Sequence, residues 1–119
     1  INFILTLLNS DKIEEVKKKL KKQLILYPES SILHNIFGAV LANEENLEDA
    51  IIYYKKSLQI NPNYAQAHNN LGAAFQKLNK FSEAIENYKK AINLKKDFAE
   101  AYNNLGNATA ALKIRAPSV

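Results

Sequence analysis

Between Ala65 and Phe98 the apolar residues fall at helical spacing in two runs separated by a short polar turn. The first run carries Ala67, Leu71, Ala74, Phe75 and Leu78, and the second carries Phe81, Ala84, Ile85, Tyr88, Ala91 and Ile92. Asn79 and Lys80 break the pattern between them, so the stretch predicts a helical hairpin. The same hairpin recurs upstream. Gly38, Gly72 and Gly106 lie 34 residues apart, and His34/His68, Ala50/Ala84, Ile51/Ile85 and Tyr54/Tyr88 keep that offset. Two helices per unit at this period mark a stacked repeat array.

Taken in order, the opening INFILTLLNS predicts the tail of a first helix ending at Asn9, with Ser10 or Asp11 capping the next and Glu14 placed for a capping box. Ile13, Val16, Leu20 and Leu24 then make one narrow stripe, and Pro28 stops that helix. Residues 1–30 are therefore expected to be a degenerate, truncated copy, in which Lys17 stands where Ile51 and Ile85 sit and suggests a side without a neighbour. Ser30 or Ser31 caps the next full copy at 31–64, which ends near Asn61-Pro62, and 65–98 is the third copy. Residues 99–115 form a partial copy or capping helix, and 116–119 a tail. The expectation is an all-α array of antiparallel helix pairs with about seven helices.

A glycine inside a helix costs about 1 kcal/mol relative to alanine. At Gly38, Gly72 and Gly106 the expected compensation is close helix approach, with Ala50 and Ala84 as the matching small surface. The two ends are expected to expose apolar faces, on Leu5 to Leu8 and on Ala101, Leu105, Ala108 and Leu112, which would favour self-association.

Composition narrows the function classes. An apolar content of 47% in 119 residues suits one packed domain. No cysteine is present, so disulfides, thiolate metal sites and a catalytic thiol are excluded. No apolar run approaches the roughly 20 residues of a membrane span. The first residue is Ile rather than Met, which predicts a segment of a longer chain. The formal charge of +4 comes largely from Lys-Lys pairs late in the second helices, at Lys21/Lys22, Lys55/Lys56 and Lys89/Lys90. Glu14 or Glu15 with Lys18, and Glu86 with Lys90, have the spacing of supportive surface pairs, so a solvated outer face is expected and nucleic acid is disfavoured.

Catalytic chemistry finds no foothold. His34 and His68 are one period apart beside core positions, without a third ligand, so packing is the expected role and no metal is predicted. No acid and base pair or glycine-rich phosphate loop is present, and neither an enzyme nor a cofactor is expected. On the helix from Ala65, the side opposite the apolar stripe carries Gln66, Asn69, Asn70, Ala73, Gln76 and Lys77, a polar but nearly uncharged surface. Asn and Gln both donate and accept, which suits pairing with peptide backbone of any sequence.

Leu71, Gly72, Phe75, Ala84, Ile85, Tyr88 and Ala91, with Phe37, Gly38, Leu41, Ala50, Ile51, Tyr54 and Pro62 one repeat earlier, resemble the tetratricopeptide repeat family over almost the whole chain. The resemblance implies a right-handed superhelix whose first helices line a concave groove for extended peptides or partner proteins. The Asn-Asn-Leu-Gly segments 69–72 and 103–106 are similar to the repeats of peptide O-linked N-acetylglucosamine transferases, where an asparagine before Leu-Gly grips peptide backbone; Asn70 and Asn104 match it and Ile36 does not. The family's carboxylate clamp is disfavoured, because Glu100 and Asn104 fall where cations are required. The expected peptide-binding residues are Gln66, Asn69, Asn70, Lys77, Asn103, Asn104 and Asn107, in a protein-interaction module. The alternative is a substrate-recruiting region of a larger enzyme such as a glycosyltransferase, and an RNA-binding helical repeat ranks below both.

Overall fold

A computed structural model describes residues 12–115 of the chain. It contains six helices in this range: α1 (Ile13–Leu26), α2 (Ser31–Asn43), α3 (Leu47–Ile60), α4 (Ala65–Lys77), α5 (Phe81–Leu94) and α6 (Ala99–Arg115). The expected leading helix, its caps Ser10 and Asp11, and the apolar segment Leu5 to Leu8 lie outside the described residues. The most extensive contacts join α2 to α3 and α4 to α5, so each expected hairpin is one packed pair. Successive pairs meet through α3/α4 and α5/α6, and α1 leans more sparsely on α2.

The glycines explain how closely the paired helices lie. A Cβ at Gly38 would stand 2.7 Å from the Tyr54 ring and 3.2 Å from the Ala50 carbonyl. At Gly72 the distances are 2.7 Å to the Tyr88 ring and 3.1 Å to the Ala84 carbonyl. Both are inside van der Waals contact, so no larger residue fits without moving a buried ring. Gly106 departs from the expectation: no atom lies within 4 Å of its Cβ direction. No ring among the described residues stands against Gly106 as Tyr54 and Tyr88 stand against Gly38 and Gly72.

The core follows the predicted stripes. Phe37, Leu41, Leu47, Ala50, Tyr54, Leu71 and Ala74 form one cluster across α2, α3 and α4, with Leu20 and Leu24 of α1 packed against it. Ala84, Tyr88 and Ala108 join α5 to α6, as do Ala91, Phe98 and Ala101. This corrects the expected open end. Ala101 and Ala108 are fully buried, Leu105 packs on the Ala84/Tyr88 cluster, and Leu112 is half-buried. A first helix docks its stripe onto the second helix of the preceding pair, whether or not a partner of its own follows.

The connections are set locally. Ser30, not Ser31, caps α2 by accepting from the Leu33 amide at 3.2 Å, while the Ser31 hydroxyl pairs with Ser57. Residues before the turns end α3 and α5 in nearly the same extended conformation, Asn61 at φ −132° and Lys95 at φ −136°. Lys96 therefore replaces Pro62 without changing the turn. Glu45 and Asn79, one period apart, both take φ 63° in the α2/α3 and α4/α5 turns. Lys17 is not without a neighbour: its ammonium meets Glu44 at 3.1 Å and Glu14 at 3.2 Å, and Glu44 first and Glu14 second hold its pKa above the usual lysine value. Among the described residues no helix is long and apolar enough to cross a membrane.

Candidate functional site

The first helices of the units, α2, α4 and α6, touch one another along one side of the array. Side-chain amides bridge them there. Gln66 donates Nε2 to Asn70 Oδ1 at 2.9 Å, Asn70 donates Nδ2 to Asn35 Oδ1 at 3.0 Å, and Asn35 donates Nδ2 to the Tyr64 hydroxyl at 3.3 Å. All three bonds run in the same direction, an arrangement in which each polarises the next. One repeat further, Asn104 donates Nδ2 to Asn69 Oδ1 at 3.2 Å, in register with the Asn70 to Asn35 bond.

The second relay is cut at both ends. Glu100 occupies the register position of Gln66, and a carboxylate has no N–H to give Asn104. Phe98 occupies that of Tyr64, and the buried Nδ2 of Asn69 has no hydrogen-bond partner.

The expected site residues divide accordingly. Gln66, Asn70 and Asn104 are half-buried and lie in the relays, while Asn103 and Asn107 are exposed on α6. Lys77 is exposed at the end of α4, with its ammonium 3.7 Å from Glu45. Asn69 is a correction: it is fully buried and takes no part in a solvent-facing surface. Its burial arises because the side of α4 away from α5 is itself partly covered by α6. Gln76, on the same polar side, accepts from the Tyr88 hydroxyl at 2.6 Å. Two members escaped the sequence reading, Asn35 and Tyr64. The signal for Asn35 was its register with Asn69 and Asn103; attention to the residue directly before Leu-Gly found Ile36 instead.

An asparagine amide has two N–H groups and two carbonyl lone pairs. Asn70 donates once and accepts once, so it keeps one of each, already oriented, for a ligand. No charged side chain takes part in the relay hydrogen bonds among the described residues. Burial pushes the Tyr54 hydroxyl up to about 12; burial first and Glu100 second do the same for Tyr88. The histidines serve packing: both are buried, and their Nε2–H groups donate to the Pro28 carbonyl at 2.8 Å and the Pro62 carbonyl at 2.9 Å.

The family model of the TPR repeat matches residues 38–79 and 77–113. The chain belongs to the TPR repeat family. No curated protein matches it. The TPR architecture also has close likenesses among solved structures. Two crystal structures of MamA are 27% identical at a TM-score of 0.80. They match over 87% of this chain and 56% and 60% of theirs, so the chain spans less than two thirds of their length. The first TPR of Spaghetti (RPAP3), solved bound to the HSP90 peptide SRMEEVD, is 23% identical with a TM-score of 0.83 over 87% of this chain and 82% of that one. An NMR structure of the same human domain agrees equally well. This TPR array is thus an all-α solenoid of antiparallel helix pairs, and the relays lie on its first helices. A TPR solenoid is in general a protein-interaction scaffold.

Proposed function

We propose that this TPR array binds an extended peptide along α2, α4 and α6, chiefly through the peptide backbone, and acts as a binding module rather than an enzyme. The observation that carries this reading is the ordered relay Gln66, Asn70, Asn35 and Tyr64, which presents neutral donors and acceptors in fixed orientation. Fixing such groups before a ligand arrives lowers the ordering cost of binding. The RPAP3 domain of the same fold holds a peptide, which supports the ligand class. Glu100 and Asn104 argue against capture of a C-terminal carboxylate here, because neither is a cation. A recruiting region of a larger enzyme, such as a glycosyltransferase, would use the same groove.

The test begins with a ligand selected from a peptide array and measures its affinity by calorimetry at low and high salt. Replacing Asn70 and Asn104 by alanine is expected to weaken binding about ten- to a hundredfold, at about 0.5–1.5 kcal/mol per lost bond. High salt should change affinity little. Both residues also bridge helices, so binding is measured well below the melting transition, beside the exposed pair Asn103→Ala and Asn107→Ala as a variant that leaves the fold intact. Parental affinity in both double variants overturns the reading.

A further inference from the structure

A cleft lies between α1 and α3, whose backbones make no close contact with each other. The cleft between them has a volume of about 370 Å³ and is lined by Lys21, Leu24 and Ile25 of α1, His34 of α2, and Tyr53 and Lys56 of α3. Its aromatic wall is held in place: the Tyr53 ring meets Phe37 edge-on at 4.6 Å and stacks by His34 at 6.0 Å. The Lys56 ammonium stands 4.9 Å over that ring. Ile25 is 79% exposed, and Leu26 and Tyr27 beside it are 66% and 58% exposed.

Comparison with the next repeat shows that this cleft is particular to one junction. Lys90, the register mate of Lys56, is held by Glu86 at 3.2 Å. Lys56 has Ile52 at the corresponding position, and among the described residues neither it nor Lys21 forms an ion pair. Ile25 and Tyr53 correspond to the polar Gln59 and Asn87. The α1/α3 junction therefore combines two cations outside any ion pair with the exposed Ile25; at the α3/α5 junction Lys55, the mate of Lys21, is likewise unpaired, but Lys90 is held by Glu86 and Gln59 stands in place of Ile25.

We infer that this cleft is a docking site for a short acidic segment of a partner protein carrying one bulky apolar residue. Carboxylates of the segment pair with Lys21 and Lys56 on either side, and the apolar side chain covers Ile25 and Leu24 against the Tyr53 ring. The net charge of +4 favours an anionic occupant and speeds its encounter. A nucleic acid backbone would meet the cations but leave Ile25 against phosphate, and a free carboxylate metabolite would leave it in water. The site is separate from the amide groove and does not depend on it.

The probe is a synthetic peptide of glutamates around a single phenylalanine, followed by amide chemical-shift mapping on the full chain. Shifts are expected at Lys21, Ile25, Tyr53 and Lys56, and not at Asn70 or Asn104. Lys21→Glu with Lys56→Glu should weaken binding about tenfold or more, as should Ile25→Ser alone. These three positions are exposed, so the variants retain the fold. The alanine variant of Asn70 and Asn104 should bind the peptide as the parent does, which separates this inference from the groove reading. Shifts confined to the groove, or a peptide with serine in place of phenylalanine binding equally well, overturn it. Equal binding by a single-stranded oligonucleotide, or self-association through this cleft in sedimentation, does so too.

Discussion

Asn35 donates its amide to the Tyr64 hydroxyl at 3.3 Å, and one period later Asn69 stands with Phe98 in the tyrosine's place and its own buried Nδ2 unpaired. One missing oxygen thus ends the second relay. A buried donor left without a partner costs about 1–3 kcal/mol. Phe98→Tyr is expected to stabilise the array by about 1 kcal/mol through restoring that bond. Chemical denaturation checks it. The gain should vanish in an Asn69→Leu background, and Tyr64→Phe should cost a similar amount; a destabilised Phe98→Tyr protein refutes the pairing.

Gly72 and Gly106 should respond in opposite directions. Gly72→Ala places a methyl 2.7 Å from the buried Tyr88 ring and is expected to cost about 1–3 kcal/mol by overpacking. Gly106→Ala meets no atom within 4 Å and should gain up to about 1 kcal/mol from helix propensity. Thermal melts of the two variants against the parent decide it, and equal shifts of the same sign would show that close approach is not what selects glycine at position 72.

Glu45 and Asn79 share a left-handed backbone at φ 63°. That conformation costs an ordinary side chain about 1–2 kcal/mol and asparagine less. The exposed contact of Glu45 with Lys77 at 3.7 Å offsets little of this. Glu45→Asn is therefore expected to raise stability by about 0.5–1 kcal/mol, read as a higher denaturation midpoint with an unchanged slope.

Alkaline pH should loosen the array through its buried tyrosines. Burial raises the Tyr54 hydroxyl from the ordinary tyrosine value of 10.0 to about 12, and burial first with Glu100 second does the same for Tyr88. Folding favours the protonated hydroxyl, so their contribution is fully present below pH 10 and is lost as the pH rises toward 12. The fall amounts to about 2–3 kcal/mol for each ring. Urea unfolding at pH about 9 and about 11.5 measures it. Tyr54→Phe should flatten the pH slope.

How much of this was legible differs from residue to residue. The helical hairpins, the register of Gly38 with Tyr54 and Gly72 with Tyr88, and the buried stripes are written in spacings of three to four residues inside a 34-residue period. Such spacings depend only on helix geometry and on each hairpin's own two helices. Asn69 was misplaced because a helical wheel divides α4 into two sides, while α4 in the array contacts α2, α3, α5 and α6. Its polar side is therefore partly interior.

The sequence by itself determined the repeat, its helix pairs and which stripe of each helix is apolar, since these follow from local periodicity and the free energy of burying apolar surface. Tertiary structure alone decided which polar groups meet between helices: that Asn70 finds Asn35 and Asn104 finds Asn69, each 35 residues away, and that the stripe of α6 is covered while Gly106 is not. The physical reason is that a hydrogen bond between stacked helices depends on their relative rotation and spacing to within a few tenths of an ångström. No single helix encodes that geometry; it emerges when neighbouring repeats pack.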